Sequence, residues 1–368
     1  MIVSKNIRLF LIGILLLPEL AYGQIPDYYS GVDFSKSSNE IKDQLHKLIS
    51  DYVWFPFTSA STDVWDVIEF SNQDPDNSDN IRLIYSGESK EIEYRDGGGS
   101  SYMLKIYKEF DNGNGTHNNS WNREHVYPIS NFKYPIDSDD NVYTDIHNIL
   151  PVRRQDNSLR GARIFGHKDK TISKGYGITQ TGAFYPGDNF IGDIARIIMY
   201  MNIRYSKTFL QDGTEVRDLL IPENIGEGII INDIPEIFLL WNKLDPPDEF
   251  EKIRNEIIYN FQQNRNPFID NPFLATKIWG GPTIEDSWKA LSSYEIDIFP
   301  NISSSSIEVI RGTDYEDMIK YKIFDMSGKE ISTGETIQNV DISYLENGIY
   351  ILKLFVEDYI ISKKIKKI

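Results

Sequence analysis

The stretch WNREHVYP, residues 121–128, places the carboxylate of Glu124 next to the imidazole of His125 and ends at a proline. DIHN follows at 145–148, and a carboxamide, Asn157, comes soon after it. Three of the chain's five histidines lie at positions 117, 125 and 147. This density of polar, titratable groups predicts a hydrolytic site that holds one cation and deprotonates one water molecule.

The residue types indicate which cation and which base. Glu124 and Asn157 offer hard oxygen ligands, which favour Mg²⁺, with Mn²⁺ or Ca²⁺ as alternatives. Two protein ligands leave the other coordination positions to water and to a phosphate. His125 is the expected general base, because the ordinary pKa of an imidazole lies near neutrality. A zinc hydrolase is disfavoured, since the chain has no cysteine and no H-x-x-x-H pair.

Neighbouring residues of a regular strand face opposite sides of a sheet. Glu124 and His125 can therefore serve one site only at a strand end or bend, or from either side of the metal and the water. Pro128 supports a strand end, and the polar run 155–158 could open a helix. The expected unit is a hairpin carrying Glu124 and His125, followed by a helix carrying Asn157. His147 has two interpretations, a site residue or a buried histidine that ties the loop to the core.

Composition limits the class of protein. A chain of 368 residues that is 40% hydrophobic and 13% aromatic can form a large domain with a smaller one and is not disordered. Without cysteine there are no disulfides, thiolate metal sites or cysteine nucleophiles. The net charge of −17 argues by itself against a polyanionic partner. Residues 151–170, however, carry six basic against two acidic side chains, which indicates either a nucleic-acid contact or an ordinary solvated loop.

Three segments are predicted along the chain. Residues 1–23 are typical of a secretory signal peptide, with a charged start and an apolar run too short to span a bilayer comfortably. Residues 24–292 form the main domain, with loops at 96–101 and 111–119 and amphipathic helices near 190–205 and 250–261. Residues 293–368 show short β-rich runs separated by turns, which predict a small β-sandwich.

The motifs together resemble those of the bacterial endonuclease I family, a group of ββα-metal (His-Me finger) nucleases. The resemblance covers most of residues 26–280 and rests on several motifs in the same order. These are WNREHVYP (121–128), DIHNILP (145–151), NSLR (157–160), GDIAR (192–196), YM (200–201), WN (241–242), DP (245–246), RN (254–255) and QNRNPFID (263–270).

The resemblance implies an α+β fold, with a ββα-metal finger core embedded in a mainly helical nuclease domain. It also implies a secreted, sequence-nonspecific, metal-dependent endonuclease for DNA, and often for RNA. By position, His125 would activate water and Glu124 and Asn157 would bind Mg²⁺. Arg160 would be a catalytic residue on the phosphate side or a scaffold residue. We expect Arg123, Arg153 and Arg196 to bind substrate, with Arg196 also open to a scaffold role.

The tail resembles a C-terminal sorting domain of the type IX secretion system, through YKIFDMSGK (321–329), VDIS (340–343) and GIYILKL (348–354). The resemblance implies export through that machinery to the cell surface or the medium; the alternative is a general β accessory module. We expect a monomer. A second functional hypothesis is a surface-displayed nucleic-acid-binding or adhesion protein with an inactive nuclease fold.

Overall fold

The computed structural model describes residues 25–96, 120–210, 212–282, 284, 286–288, 297–299, 302–310, 318–326, 328–356 and 359–368. The predicted signal peptide, residues 97–101 of the predicted loop at 96–101, and the predicted loop at 111–119 with His117 lie outside these ranges. The chain divides into two compact units, one of which is Asp27–Ser287, while Trp288–Ile368 belongs to the other. Among the described residues, no helix has the length and apolarity needed to cross a membrane.

Helices dominate the first unit. In chain order they are α1 (Ser38–Ser50), α2 (Val64–Ser71), α3 (Asn141–Thr144), α4 (Arg154–Arg160), α5 (Ile191–Arg204), α6 (Glu236–Leu244), α7 (Glu249–Gln262), α8 (Pro267–Asp270) and α9 (Phe273–Trp279). The predicted stripes near 190–205 and 250–261 are confirmed as α5 and α7. Asp248 caps α7 by accepting a hydrogen bond from the backbone NH of Glu251, which satisfies one of the free amides of the first turn.

The strands of this unit are short. They are β1 (Gln73–Asp74), β2 (Asn77–Arg82), β3 (Ser89–Glu91), β4 (Trp121–His125), β5 (Ile149–Arg153), β6 (Gly177–Ile178), β7 (Phe184–Tyr185), β8 (Lys207–Phe209), β9 (Glu215–Arg217), β10 (Ile230–Ile231) and β11 (Ile234–Pro235). Helices and strands thus mix in the way the α+β class predicts.

One antiparallel pair positions the candidate site. β4 pairs with β5, with Glu124 opposite Leu150 and His125 opposite Ile149, and α4 begins directly after β5. Trp121 opens β4, is fully buried, and packs edge-on against Trp65 of α2 with ring centroids 5.3 Å apart. Apolar burial at this end of β4 fixes which face of the strand points inward, and therefore which face carries Glu124.

Arg196 on α5 lies in a buried ionic network instead of an exposed surface. It is fully buried, its Nε donates to Glu251 Oε1 of α7 at 2.7 Å, and its Nη1 donates to the backbone carbonyl of Asp245 at 2.7 Å. Its contacts tie α5 to α7 and favour the scaffold alternative for Arg196, while substrate binding by this residue stays a prediction. A charge at this depth would be strongly destabilising without its partner.

The C-terminal unit is built from strands in two sheets. Its strands are β12 (Asp297–Phe299), β13 (Ile302–Ser303), β14 (Ser306–Ile310), β15 (Ile319–Asp325), β16 (Glu330–Thr336), β17 (Asn339–Asp341), β18 (Gly348–Val356) and β19 (Tyr359–Lys367). One sheet has the order β12-β14-β17 and the other β13-β19-β18-β15-β16. Ile307 and Val340 of the first sheet share one apolar core with Ile323 and Leu352 of the second.

Replacing Arg196 should be costly. We expect Arg196→Met to lower the free energy of unfolding by about 3–5 kcal/mol, because Glu251 would stay buried without its partner. The double variant Arg196→Met/Glu251→Leu should recover part of that loss. Urea denaturation measures both. The control is Lys168→Met, which breaks the half-exposed pair with Asp188 and should cost at most about 1 kcal/mol. Equal losses in the two single variants would contradict the assignment.

His147 gives the fold a pH dependence. It is fully buried, its Nε2 lies 3.2 Å from the carbonyl of Asn264, and burial lowers its pKa from 6.5 to about 4. The structural interpretation of this histidine is thus supported. Below the unfolded pKa the unfolded chain binds a proton that the folded chain does not, so stability falls as the pH drops from 6.5 toward 4.

The corresponding experiment compares the wild-type chain with His147→Gln. Between pH 7.5 and pH 5 the wild-type chain should lose roughly 2 kcal/mol more unfolding free energy than the variant. Denaturant titration at the two pH values measures the difference. Identical pH slopes would show that His147 does not set this dependence.

Candidate active site

Glu124 is a buried carboxylate, and one of its oxygens contacts both a hydroxyl group and a guanidinium group. Its residue exposure is 3%, and Oε1 accepts a hydrogen bond from the Tyr85 hydroxyl at 2.9 Å and lies 3.4 Å from Arg160 Nε. Burial raises the pKa of Glu124 to about 7, while Arg160 acts in the opposite direction. Within the described ranges, Oε2 has no protein partner. The carboxylate is therefore only partly neutralised by the protein.

Asn157, on α4, is held by its amide nitrogen. Its Nδ2 donates to Asn122 Oδ1 at 2.9 Å and to the backbone carbonyl of Arg123 at 3.1 Å. The second acceptor belongs to the peptide bond that joins Arg123 to Glu124, so Asn157 lies beside the backbone of Glu124. Because both amide hydrogens are used, the side-chain oxygen is left as a free acceptor in a fixed orientation. No described residue donates to it.

His125 ends β4, and its ring is fixed by a backbone carbonyl. Nε2 lies 2.7 Å from the carbonyl oxygen of Tyr143, and the Phe57 ring stacks on the imidazole with centroids 5.6 Å apart. A carbonyl only accepts, so Nε2 carries the hydrogen and Nδ1 of the neutral ring keeps its lone pair. Burial, with a smaller contribution from Arg123, lowers the pKa of His125 to about 4, although the bond to the Tyr143 carbonyl acts in the opposite direction. The ring is therefore a neutral base with one defined basic atom.

The alternation of the strand separates the two functional side chains. Glu124 contacts Tyr85 and Arg160, whereas His125 contacts Phe57 and Tyr143. Asn157 bonds to Asn122, which is two residues before Glu124 and thus on its side of β4. The structure brings Glu124 and Asn157 to one side of the strand and leaves His125 on the other side, at the strand end.

Arg160 has a different place from the one expected of a residue that touches phosphate. It is fully buried, its Nη2 donates to the carbonyl of Val126 at 2.7 Å, and its guanidinium lies 4.6 Å from the centre of the Phe165 ring. With its Nε beside Glu124, this side chain supports the carboxylate from within. The burial and contacts of Arg160 favour the scaffold alternative, and its catalytic role stays a prediction.

Arg123 and Arg153 are also tied to the protein. Arg123 donates to the Phe57 carbonyl and to Thr58 Oγ1, and its guanidinium lies 3.3 Å from the centre of the Phe57 ring. Arg153 donates to Asp156 at 2.9 Å and to the Tyr176 hydroxyl at 3.0 Å, with 30% of its side chain exposed. Of these two expected substrate contacts, Arg153 keeps more of its side chain at the surface, and Arg123 braces the loop that covers His125.

Much of the basic charge in residues 151–170 is neutralised by acids. Arg154 lies 3.6 Å from Asp96, and Lys168 lies 2.5 Å from Asp188. Arg163 and Lys170 are exposed, and neither forms an ion pair with an acid in the part of the chain that the structure describes. The stretch therefore offers fewer free cations to a polyanion than its composition predicts.

Two residues of the site escaped the sequence interpretation. Tyr85 bonds to Glu124 from a distant loop and has a backbone φ of 70°, a left-handed conformation that is costly for an aromatic residue. Tyr143 supplies its carbonyl, a group that every residue possesses. No local pattern marks either residue, although Tyr143 lies just before the DIHN motif.

The donor set fits a hard divalent cation. Glu124 has an oxygen without a protein partner, and the Asn157 amide oxygen is oriented and free, which are the ligand types that Mg²⁺ accepts alongside water and phosphate. Within the described residues no cluster of three or more His, Cys, Asp or Glu side chains is arranged as a metal site. Any cation here would be held by few protein atoms.

Comparison with known proteins identifies two families on this chain. Residues 37–273 match the endonuclease I family, and residues 297–367 match a secretion system C-terminal sorting domain. The chain is 33% identical over 265 residues to an extracellular ribonuclease of Bacillus subtilis (strain 168), covering 71% of this chain and 81% of that protein. It is also 33% identical over 251 residues to an extracellular ribonuclease of Bacillus amyloliquefaciens, covering 66% and 75%.

These matches confirm both resemblances found in the sequence and the enzymatic interpretation that follows from them. Nucleases of this family generally depend on a metal ion. The sorting domain and the extracellular relatives confirm export. The chain belongs to the endonuclease I family and is a nuclease that is secreted or held at the cell surface through a type IX sorting domain.

Proposed function

We propose that the chain is a sequence-nonspecific endonuclease that hydrolyses phosphodiester bonds of DNA and also of RNA, with one Mg²⁺ ion and His125 as general base. The observation that supports this most strongly is the bond from His125 Nε2 to the Tyr143 carbonyl, which leaves Nδ1 basic at the end of β4. The name of the two Bacillus relatives, extracellular ribonuclease, supports RNA as a substrate class.

In this proposal β4, β5 and α4 are the ββα-metal finger, and the two sheets of the C-terminal unit form a β-sandwich. The nuclease domain would span residues 24–292 and the sorting domain 293–368, after removal of a signal peptide at 1–23. We retain a monomer as the expected state. Export would bring the chain into contact with the type IX secretion machinery.

His125 would take the proton of the attacking water at Nδ1, a step that contributes roughly 10²–10⁴-fold in rate. Glu124 and Asn157 would hold the cation, with Arg160 and Tyr85 fixing the carboxylate. When bound, Mg²⁺ would neutralise charge on the phosphorane-like transition state and on the leaving oxygen. Mn²⁺ or Ca²⁺ could occupy the same oxygen ligands.

Lack of sequence preference would follow from contacts to the phosphate backbone. Arg and Lys contacts to phosphates carry no base information. We assign this contact to Arg163 and Lys170, which are exposed and form no ion pair among the described residues, and to the partly exposed Arg153. Because the protein carries a net charge of −17, binding should depend on these few local cations and not on the overall field.

We expect His125→Ala to lose at least about 10²-fold in cleavage rate, because the water would lack its base. Binding of a non-cleavable oligonucleotide should be retained. Plasmid nicking and RNA cleavage, each with and without EDTA, measure the loss. His167→Ala, which changes an exposed histidine of the same domain, is the matched control and should cleave normally. Full activity of His125→Ala would remove this residue from the mechanism.

We expect Glu124→Gln and Asn157→Ala to raise the Mg²⁺ concentration needed for half-maximal cleavage, with partial recovery at high Mg²⁺. The physical reason is the loss of one oxygen ligand or of its charge. Electron paramagnetic resonance of bound Mn²⁺ gives a second, activity-independent measurement. The control is Glu223→Gln, an exposed carboxylate that belongs to neither strand. A Mg²⁺ requirement identical to that of the wild-type chain would refute the ligand assignment.

A further inference from the structure

A fully buried carboxylate, Asp145, lies at the centre of a hydrogen-bonded cluster outside the two strands of the site. Its Oδ1 accepts from the backbone NH of His147 and from Gln262 Nε2, each at 3.0 Å. Its Oδ2 accepts from the hydroxyls of Tyr200 at 2.8 Å and Tyr205 at 2.7 Å. Four donors therefore converge on one side chain, and both of its oxygens are fully used.

The donors come from the rigid helical scaffold. Tyr200 lies on α5, Tyr205 directly follows that helix, and Gln262 ends α7. Burial, reinforced by Asp145, raises the pKa of Tyr200 and of Tyr205 well above the ordinary value, so both hydroxyls keep the proton that they donate. Asp145 thereby fastens its own segment to two helices at once.

The segment that Asp145 holds includes α3, which contacts the imidazole of His125. Asp145 follows α3 directly as its C-terminal cap residue, and Tyr143 of α3 presents the carbonyl that accepts from His125 Nε2 at 2.7 Å. The Tyr143 ring also packs edge-on against the imidazole, with centroids 4.9 Å apart. A further bond runs from the Tyr52 hydroxyl to the carbonyl of Asn141 at 3.3 Å. The Tyr143 carbonyl is thus placed by contacts within the protein scaffold.

We propose that Asp145 is a positioning residue for catalysis: by anchoring α3 to α5 and α7, it fixes the Tyr143 carbonyl that holds His125 in the tautomer with a free Nδ1. This inference rests on the proposed role of His125 as the base. Releasing the anchor lets the carbonyl move away from Nε2, so that the hydrogen can occupy either ring nitrogen and the ring can turn. A misplacement of about 1 Å in such a group costs on the order of 10²-fold in rate.

The test is Asp145→Asn, which keeps the size of the side chain. The substitution replaces one hydrogen-bond acceptor with an NH₂ group, which would face groups that are themselves donors. We expect kcat to fall on the order of 10²-fold while KM stays close to that of the wild-type chain. In the metal-free protein at constant pH, ¹⁵N spectra of the histidine rings should show a pure Nε2–H form of His125 in the wild-type chain and a mixture of both tautomers in the variant. Loss of a signal in His125→Gln assigns the ring.

Matched variants separate positioning from loss of stability. Asn242→Ala removes another fully buried polar side chain, one that bonds to Pro272 and Arg196, and should lower stability without changing the His125 tautomer.

If Asp145→Asn does not fold, Tyr205→Phe and Tyr200→Phe each remove one donor to Asp145. Each should give a smaller fall in kcat and a smaller change in the His125 tautomer, in the same direction. A folded Asp145→Asn with wild-type kcat and a pure Nε2–H tautomer would overturn the proposal. Full activity of His125→Ala would instead refute the role of His125 as the general base. The tautomer measurement would still test whether Asp145 positions the His125 ring.

Discussion

A strand turns successive side chains to opposite sides, and this constraint shapes the whole site. Glu124 and His125 are neighbours in β4, so one points toward Arg160 and Tyr85 and the other toward Tyr143 and Phe57. Each side chain therefore needs its own support, built from a different part of the chain. The helices, the buried charges and the short loops around β4 and β5 supply those two sets of support.

The sequence predicted the candidate site residues whose side-chain type itself points to a chemical role. Glu124, His125 and Asn157 were predicted because a carboxylate, an imidazole and an amide suit metal-assisted hydrolysis, and because the surrounding motifs resemble those of the endonuclease I family. Their roles stay predictions. The amphipathic stripes that became α5 and α7 were also visible, since apolar residues recur on one helical face. The sequence alone was sufficient where a prediction depended on the type of one side chain or on the periodic spacing of apolar residues along a helix.

Tertiary contacts decided the rest. The sequence left phosphate-side and scaffold roles open for Arg160 and Arg196, because a guanidinium suits a phosphate as well as a carboxylate. Burial beside Glu124 and Glu251 favours the scaffold role. The six basic residues of 151–170 left a nucleic-acid contact and an ordinary solvated loop as alternatives, and three of them, Arg153, Arg154 and Lys168, are paired with acids in the structure. Spacing along the chain cannot reveal which partner folding brings to a long, flexible cation.

The ion pair between Arg196 and Glu251 crosslinks α5 and α7 without a covalent bond. An exported chain with no cysteine has no thiol to oxidise, shuffle or mispair on its way out of the cell. Its maturation therefore needs no disulfide-forming enzyme, and reductants in its surroundings have no bond to break.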